Sequence, residues 1–114
     1  MEKAQIEYLV EDIDREVREH GKYGEACIRL MEFGLDDELA LKYFDNYVSK
    51  LDDPKLLKEL LRNPITISQY MTALDAAVRL RDKEWIKDLM NNEQFKNESS
   101  AYLSELREQA NKLI

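Results

Sequence analysis

Apolar residues return at steps of three and four along nearly all of the 114 residues, and this spacing limits the chain to helices. Ile6, Leu9, Val10, Ile13 and Val17 form one stripe. Glu7, Glu11, Asp12, Asp14, Glu16 and Glu19 occupy the other faces, and His20-Gly21 supplies a helix end. A shorter helix is predicted from about Tyr23 to Phe33, with Cys27, Leu30 and Met31 inward and Gly34 as its stop. Asp36 is the expected N-cap of the next, with Asp37 and Glu38 in its first turn. Leu39, Leu41, Phe44, Tyr47, Val48 and Leu51 give that third helix a broad apolar face.

Asp53-Pro54 reads as a cap followed by proline at the first helical position, where the missing N–H costs nothing. Leu56, Leu57, Leu60 and Leu61 follow, until Asn63-Pro64 disfavours helical torsions. A fifth helix should start near Ser68 with Ile67, Met71, Leu74, Ala77 and Val78 inward. A tight turn at Arg81-Asp82 leads to a sixth with Trp85, Ile86, Leu89 and Met90. The polar run from Asn91 to Ser100 is the expected loop. A last helix, capped by Ser99 or Ser100, repeats Tyr102, Leu103, Leu106, Ala110 and Leu113. No period-two alternation or hairpin dipeptide competes with this pattern. The expected fold is all-α: a single domain spanning 1–114, built as a compact bundle of six or seven helices in antiparallel hairpins.

Charge is distributed unevenly. The net charge is −7, yet residues 1–53 carry 15 Asp/Glu against 7 Lys/Arg, whereas residues 54–114 carry 9 against 10. Such an acidic half is repelled by phosphate backbones and anionic lipid, so direct nucleic-acid binding is not expected. The start Met1-Glu2-Lys3-Ala4-Gln5 lacks the apolar core of a signal peptide, and no stretch nears the ~18 apolar residues of a membrane span. A cytoplasmic protein without membrane contact is expected.

The chemistry-bearing residues are few and scattered. His20 is the only imidazole, placed to complement a helix C-terminus, and Glu16 one turn earlier makes half of what a bundle metal site requires. Cys27 falls on an inward face, with Arg29 off that face, so its thiol acts as a small hydrophobe. Asp36/Asp37, Asp52/Asp53 and Glu11-Asp12-Ile13-Asp14 lack the alternating ligands and closing Glu of a calcium loop. Gly21, Gly24 and Gly34 fit helix ends or turns and no nucleotide-binding pattern. These observations predict no enzyme, no metal and no cofactor.

Leu74-Asp75-Ala76-Ala77-Val78, followed by Arg81-Asp82-Lys83-Glu84-Trp85, resembles the IDEAL domain, a short helical module of small Gram-positive bacterial proteins. That family carries Ile-Asp-Glu-Ala-Leu, then Arg-Asp-Lys-Glu and an aromatic. Asp75, Ala77, Arg81, Asp82, Lys83 and Glu84 fit, Leu74 and Val78 are conservative replacements, and Ala76 departs from the family's Glu. The resemblance covers about 20 of the 114 residues and implies a regulatory or adaptor role.

Charge asymmetry therefore leads the functional expectation: a protein-binding module whose acidic helices meet a basic or mixed surface, with Glu7, Glu11, Asp14, Asp37, Tyr43 and Asp45 as contact residues. Two other readings remain open. The acidic helices would imitate nucleic acid, as small phage or immunity proteins can, or the leucines of 56–61 would join two copies in a homodimer.

Overall fold

The computed structural model describes residues 3–114; Met1 and Glu2, where the reading of a missing leader begins, lie outside the described residues. Seven α-helices and no strand are present among them. They cluster into two compact units, one running to Leu51 and the other from Asp52 to Ile114. The first holds α1 (Lys3–His20), α2 (Tyr23–Phe33) and α3 (Glu38–Val48). The second holds α4 (Pro54–Leu60), α5 (Ile67–Leu80), α6 (Lys83–Met90) and α7 (Ala101–Leu113).

In the first unit each helix packs on the other two. α1 contributes Val10, Ile13 and Val17 to the core, α2 adds Ala26, Cys27 and Leu30, and α3 adds Ala40, Phe44, Tyr47 and Val48. The breaks follow local chemistry. Gly21 leaves α1 with φ +66° and Gly34 leaves α2 with φ +95°, both in the region where a Cβ is strained. Gly24, expected at a helix end or turn, lies instead in the first turn of α2. α3 is capped by Asp37 rather than Asp36: its carboxylate accepts from the N–H groups of Leu39 (3.0 Å) and Ala40 (3.1 Å). Such a cap is worth ~1 kcal/mol.

α5 is the centre of the second unit, packed against α4, α6 and α7. A helix with three neighbours needs a wide buried sector. Its buried residues are Gln69, Tyr70, Ala73, Leu74, Ala76 and Ala77, and the three alanines let adjacent helices approach closely. Crowding shifts the sector away from the expected stripe, so Ile67, Met71 and Val78 are only half-buried. Ala76, the position departing from the IDEAL pattern, is fully buried.

Further side chains stand differently from expectation, with Ile6, Leu9, Leu39, Leu41, Leu51 and Leu113 only half-buried at the margins of their apolar faces. Met31 is exposed, because the buried sector of α2 is centred on Cys27 and Leu30 and the next residue turns about 100° away. Tyr102 is exposed at the start of α7, and Met90 is half-buried at the end of α6. The largest departure is Phe95. The segment 91–100 is a loop as the polarity predicts, yet Phe95 is buried and stacks on Tyr70 with centroids 4.7 Å apart. The Tyr70 hydroxyl donates to the Leu89 carbonyl at 2.9 Å, so the ring pair ties α5, α6 and the loop together.

Asp53-Pro54 and Ser100 act as their sequence cues imply, but α4 ends at Leu60, before Asn63-Pro64, and α5 starts from a cap at Thr66, ahead of the expected Ser68. Asp53 caps α4 with Pro54 at its first position, Thr66 caps α5, Asp82 caps α6 and Ser100 caps α7. Arg81 is unusual: it takes the left-handed conformation (φ 54°) that ends α5, while the Asp82 N–H donates to the Ala77 carbonyl and the Arg81 N–H to Val78. This is the Schellman arrangement, with arginine where glycine is usual.

Candidate functional site on the acidic helices

The first unit holds most of the charge imbalance. Up to Leu51 the chain has 13 Asp/Glu against 7 Lys/Arg, and from Asp52 onward it has 11 against 10. The α1 carboxylates fall into two groups. Towards the carboxyl end of α1, Asp12 accepts from Arg15 at 3.1 Å, Asp14 from Arg18 Nε at 2.8 Å, and Glu16 from Arg29 of α2. Towards its amino end, Glu7 and Glu11 are exposed and take part in no ion pair among the described residues. Arg15 stands one turn beyond Glu11, but its guanidinium is engaged with Asp12.

The six expected contact residues thus take different roles. Glu7 and Glu11 lie on one stretch of α1 and take no ion-pair partner among the described residues. Asp14 is half-buried and also accepts from the Tyr47 hydroxyl at 2.7 Å. Burial pushes its carboxyl up, but the hydrogen bonds from Tyr47 and Arg18 outweigh that and hold it below the ordinary carboxylate value. Tyr47, buried and facing a carboxylate, is shifted upward and stays protonated. Asp14 is therefore a core-edge support and Asp37 a helix cap. Tyr43 and Asp45 are half-buried on α3, where the Tyr43 ring lies 6.0 Å from that of Tyr47.

Glu7 and Asp37 do share one cleft, lined also by Lys3, Ile6, Leu39 and Lys42. Asp36 and Glu38 complete the lining, so four carboxylates face two lysines and the cleft is net acidic, favouring a cationic group over an anion. Beside it in sequence, Ala4, Gln5, Tyr8 and Leu9 line a shallow, open and mainly apolar depression. Tyr8 is 69% exposed, the most exposed large apolar side chain of the described residues. Charge and periodicity alone do not single out Tyr8. Its signal was present: an aromatic one step off the inward stripe, between two carboxylates.

Elsewhere the groups that could carry chemistry are isolated or sealed. No cluster of three metal-ligating side chains occurs among the described residues. Cys27 is fully buried, and burial pushes its thiol up to about 12, far from a reactive thiolate. His20 is exposed at the end of α1, with Nε2 3.8 Å from Glu19. Leu57, Leu60 and Leu61 are buried and Leu56 half-buried, so they do not form the exposed row a dimer seam needs. No described helix is long and apolar enough to cross a membrane. Comparison with protein-family models, with curated proteins and with solved structures finds no match for this chain.

Proposed function

We propose that this chain is a non-enzymatic protein-binding module, a small regulatory adaptor, whose first unit meets a basic or mixed protein surface through the amino-terminal half of α1. The observation that carries this reading is the pair Glu7 and Glu11, exposed and in no ion pair among the described residues, on either side of the exposed ring of Tyr8. Carboxylates without internal partners are the ones able to steer and pair with a cationic surface, while an aromatic anchor supplies affinity. Asp14 and Asp37 contribute field but not contact, since each is bonded within its own unit. The arginines on Asp12, Asp14 and Glu16 break up a continuous anionic ridge, which favours docking over imitation of nucleic acid.

The test is affinity capture from the host, followed by association kinetics with the captured protein at rising salt. Association should slow several-fold between low and physiological ionic strength. Charge reversal at Glu7 and Glu11 should slow it about tenfold, whereas reversal at Glu105 and Glu108 on α7 should leave it unchanged. A rate indifferent to both salt and the Glu7/Glu11 reversal overturns the proposal.

A further inference from the structure

We infer that the stretch of α1 from Ala4 to Asp12 is the seat of a basic amphipathic helix of a partner protein, with an arginine of that helix lying over the Tyr8 ring and bonded to Glu7 or Glu11. This deepens the interaction reading above and rests on it. Glu7 and Glu11 are one helical turn apart, so their like charges face the same direction and repel. A cation between them removes that repulsion. Tyr8 follows Glu7 directly and precedes Glu11 by three positions, which places its ring on the same side of the helix. Arginine suits this trio better than lysine: its planar guanidinium stacks on an aromatic face while its edge donates to a carboxylate.

The apolar depression lined by Ala4, Gln5, Tyr8 and Leu9 adds the other half of the code, a place for an aliphatic side chain one turn from the arginine. Anchors at such spacing belong to a helix laid along α1. A second copy of this chain fits poorly. A two-fold contact through this face would set Glu7 and Glu11 against the same carboxylates of the partner copy, with Tyr8 alone to offset them. Phosphate-bearing partners are repelled by the same two charges.

The experiment titrates the full isotope-labelled chain with a synthetic helical peptide of leucine–arginine heptads, and with the same peptide carrying glutamate for arginine. The arginine peptide should perturb amide signals confined to residues 3–15, and the glutamate peptide none. Tyr8→Ala and the double variant Glu7→Gln/Glu11→Gln should each weaken binding about tenfold, the latter also flattening the salt dependence, while Tyr8→Phe stays within about twofold. Because Tyr8 is exposed, circular dichroism should show all variants folded. Perturbations confined to residues 3–15 but unmoved by Tyr8→Ala would overturn the arginine seat while leaving docking through α1 standing, whereas perturbations centred on the acidic residues of α2 and α3 would overturn both. Binding of both peptides alike would overturn the arginine. A concentration-dependent dimer in sedimentation, abolished by Tyr8→Ala, would overturn the partner helix in favour of a second copy.

Discussion

In the second unit several polar side chains bond to backbone groups around an irregular loop, whereas in the first unit the arginines bond to carboxylates of α1. Gln69 accepts from the Ile65 N–H at 2.9 Å, Gln94 donates to the Ile65 carbonyl at 3.0 Å, and Arg107 donates to the carbonyls of Phe95 and Glu98. These bonds fasten an irregular loop to helices. The first unit has short connections that need little fastening, so its arginines form exposed ion pairs worth ~0.2–1 kcal/mol each. Both units carry exposed carboxylates in no ion pair among the described residues, Glu59, Glu105 and Glu108 in the second as well as Glu7 and Glu11 in the first, so the units differ in what their arginines fasten and not in having spare charge.

The largest test of that division is the loop anchor. Phe95→Ala removes a buried ring stacked on Tyr70 and should destabilise the second unit by ~3–5 kcal/mol in denaturant unfolding. Hydrogen exchange at 91–100 should rise with it. A loss below ~1 kcal/mol would mean the loop is held by its polar bonds alone.

Next comes the support inside the first unit. Tyr47→Phe leaves the Asp14 carboxylate without its half-buried donor and should cost ~1–2 kcal/mol near neutral pH. The sign with pH follows from linkage. Asp14 is held below its ordinary value of 3.8, so the native state binds its proton less readily than the unfolded chain. Its contribution is therefore present above about pH 4 and lost as pH falls through the depressed value. Tyr47→Phe should shrink that loss, and the two proteins should converge in stability in acid. Asp82 behaves likewise in the second unit, lowered first by its bond from Lys58 and then by the Trp85 N–H. Parallel unfolding curves down to the lowest accessible pH would contradict this account.

Much of the architecture was legible because it depends on period and punctuation. The stripe Val10, Ile13, Val17 and the caps Asp53-Pro54 and Ser100 follow from local chemistry that a chain displays without its neighbours. What escaped depends on tertiary context. The buried sector of α5 reflects three packed neighbours, which no single stripe encodes, and Phe95 is buried in a polar run because Tyr70 happens to stand opposite. The proposed contact residues divide on the same line. Glu7 and Glu11 could be picked by charge, but that Asp14 and Asp37 are engaged internally appears only once Tyr47 and the start of α3 are in place.

A smaller effect, of opposite sign, is expected at the end of α5. Arg81 adopts a left-handed conformation that costs a side chain ~1 kcal/mol relative to glycine, with part of the gain offset by glycine's greater freedom when unfolded. Arg81→Gly should stabilise the second unit by about 0.5 kcal/mol, a rise of a few degrees in Tm. No change would show that the arginine side chain contributes as much as its backbone strain removes.

The smallest expected effect decides the comparison between the units most directly. If the carboxylates at Glu7 and Glu11 exceed what folding requires, neutralising them should cost no stability. They repel across one turn of α1 and have no cation among the described residues, so Glu7→Gln/Glu11→Gln should be neutral or stabilising by ~0.2–0.5 kcal/mol at low salt. The gain should fade as salt screens the repulsion. Asp12→Asn, only five residues beyond Glu7, should behave oppositely and cost a few tenths, because it removes the negative charge that pairs with Arg15 and lies near Arg29, leaving only a neutral amide oxygen as acceptor. Chemical unfolding of the two variants at two salt concentrations reads both signs. A double variant that is clearly destabilised would place Glu7 and Glu11 among the groups that hold the fold, and the proposal that they are there for a partner would fail with it.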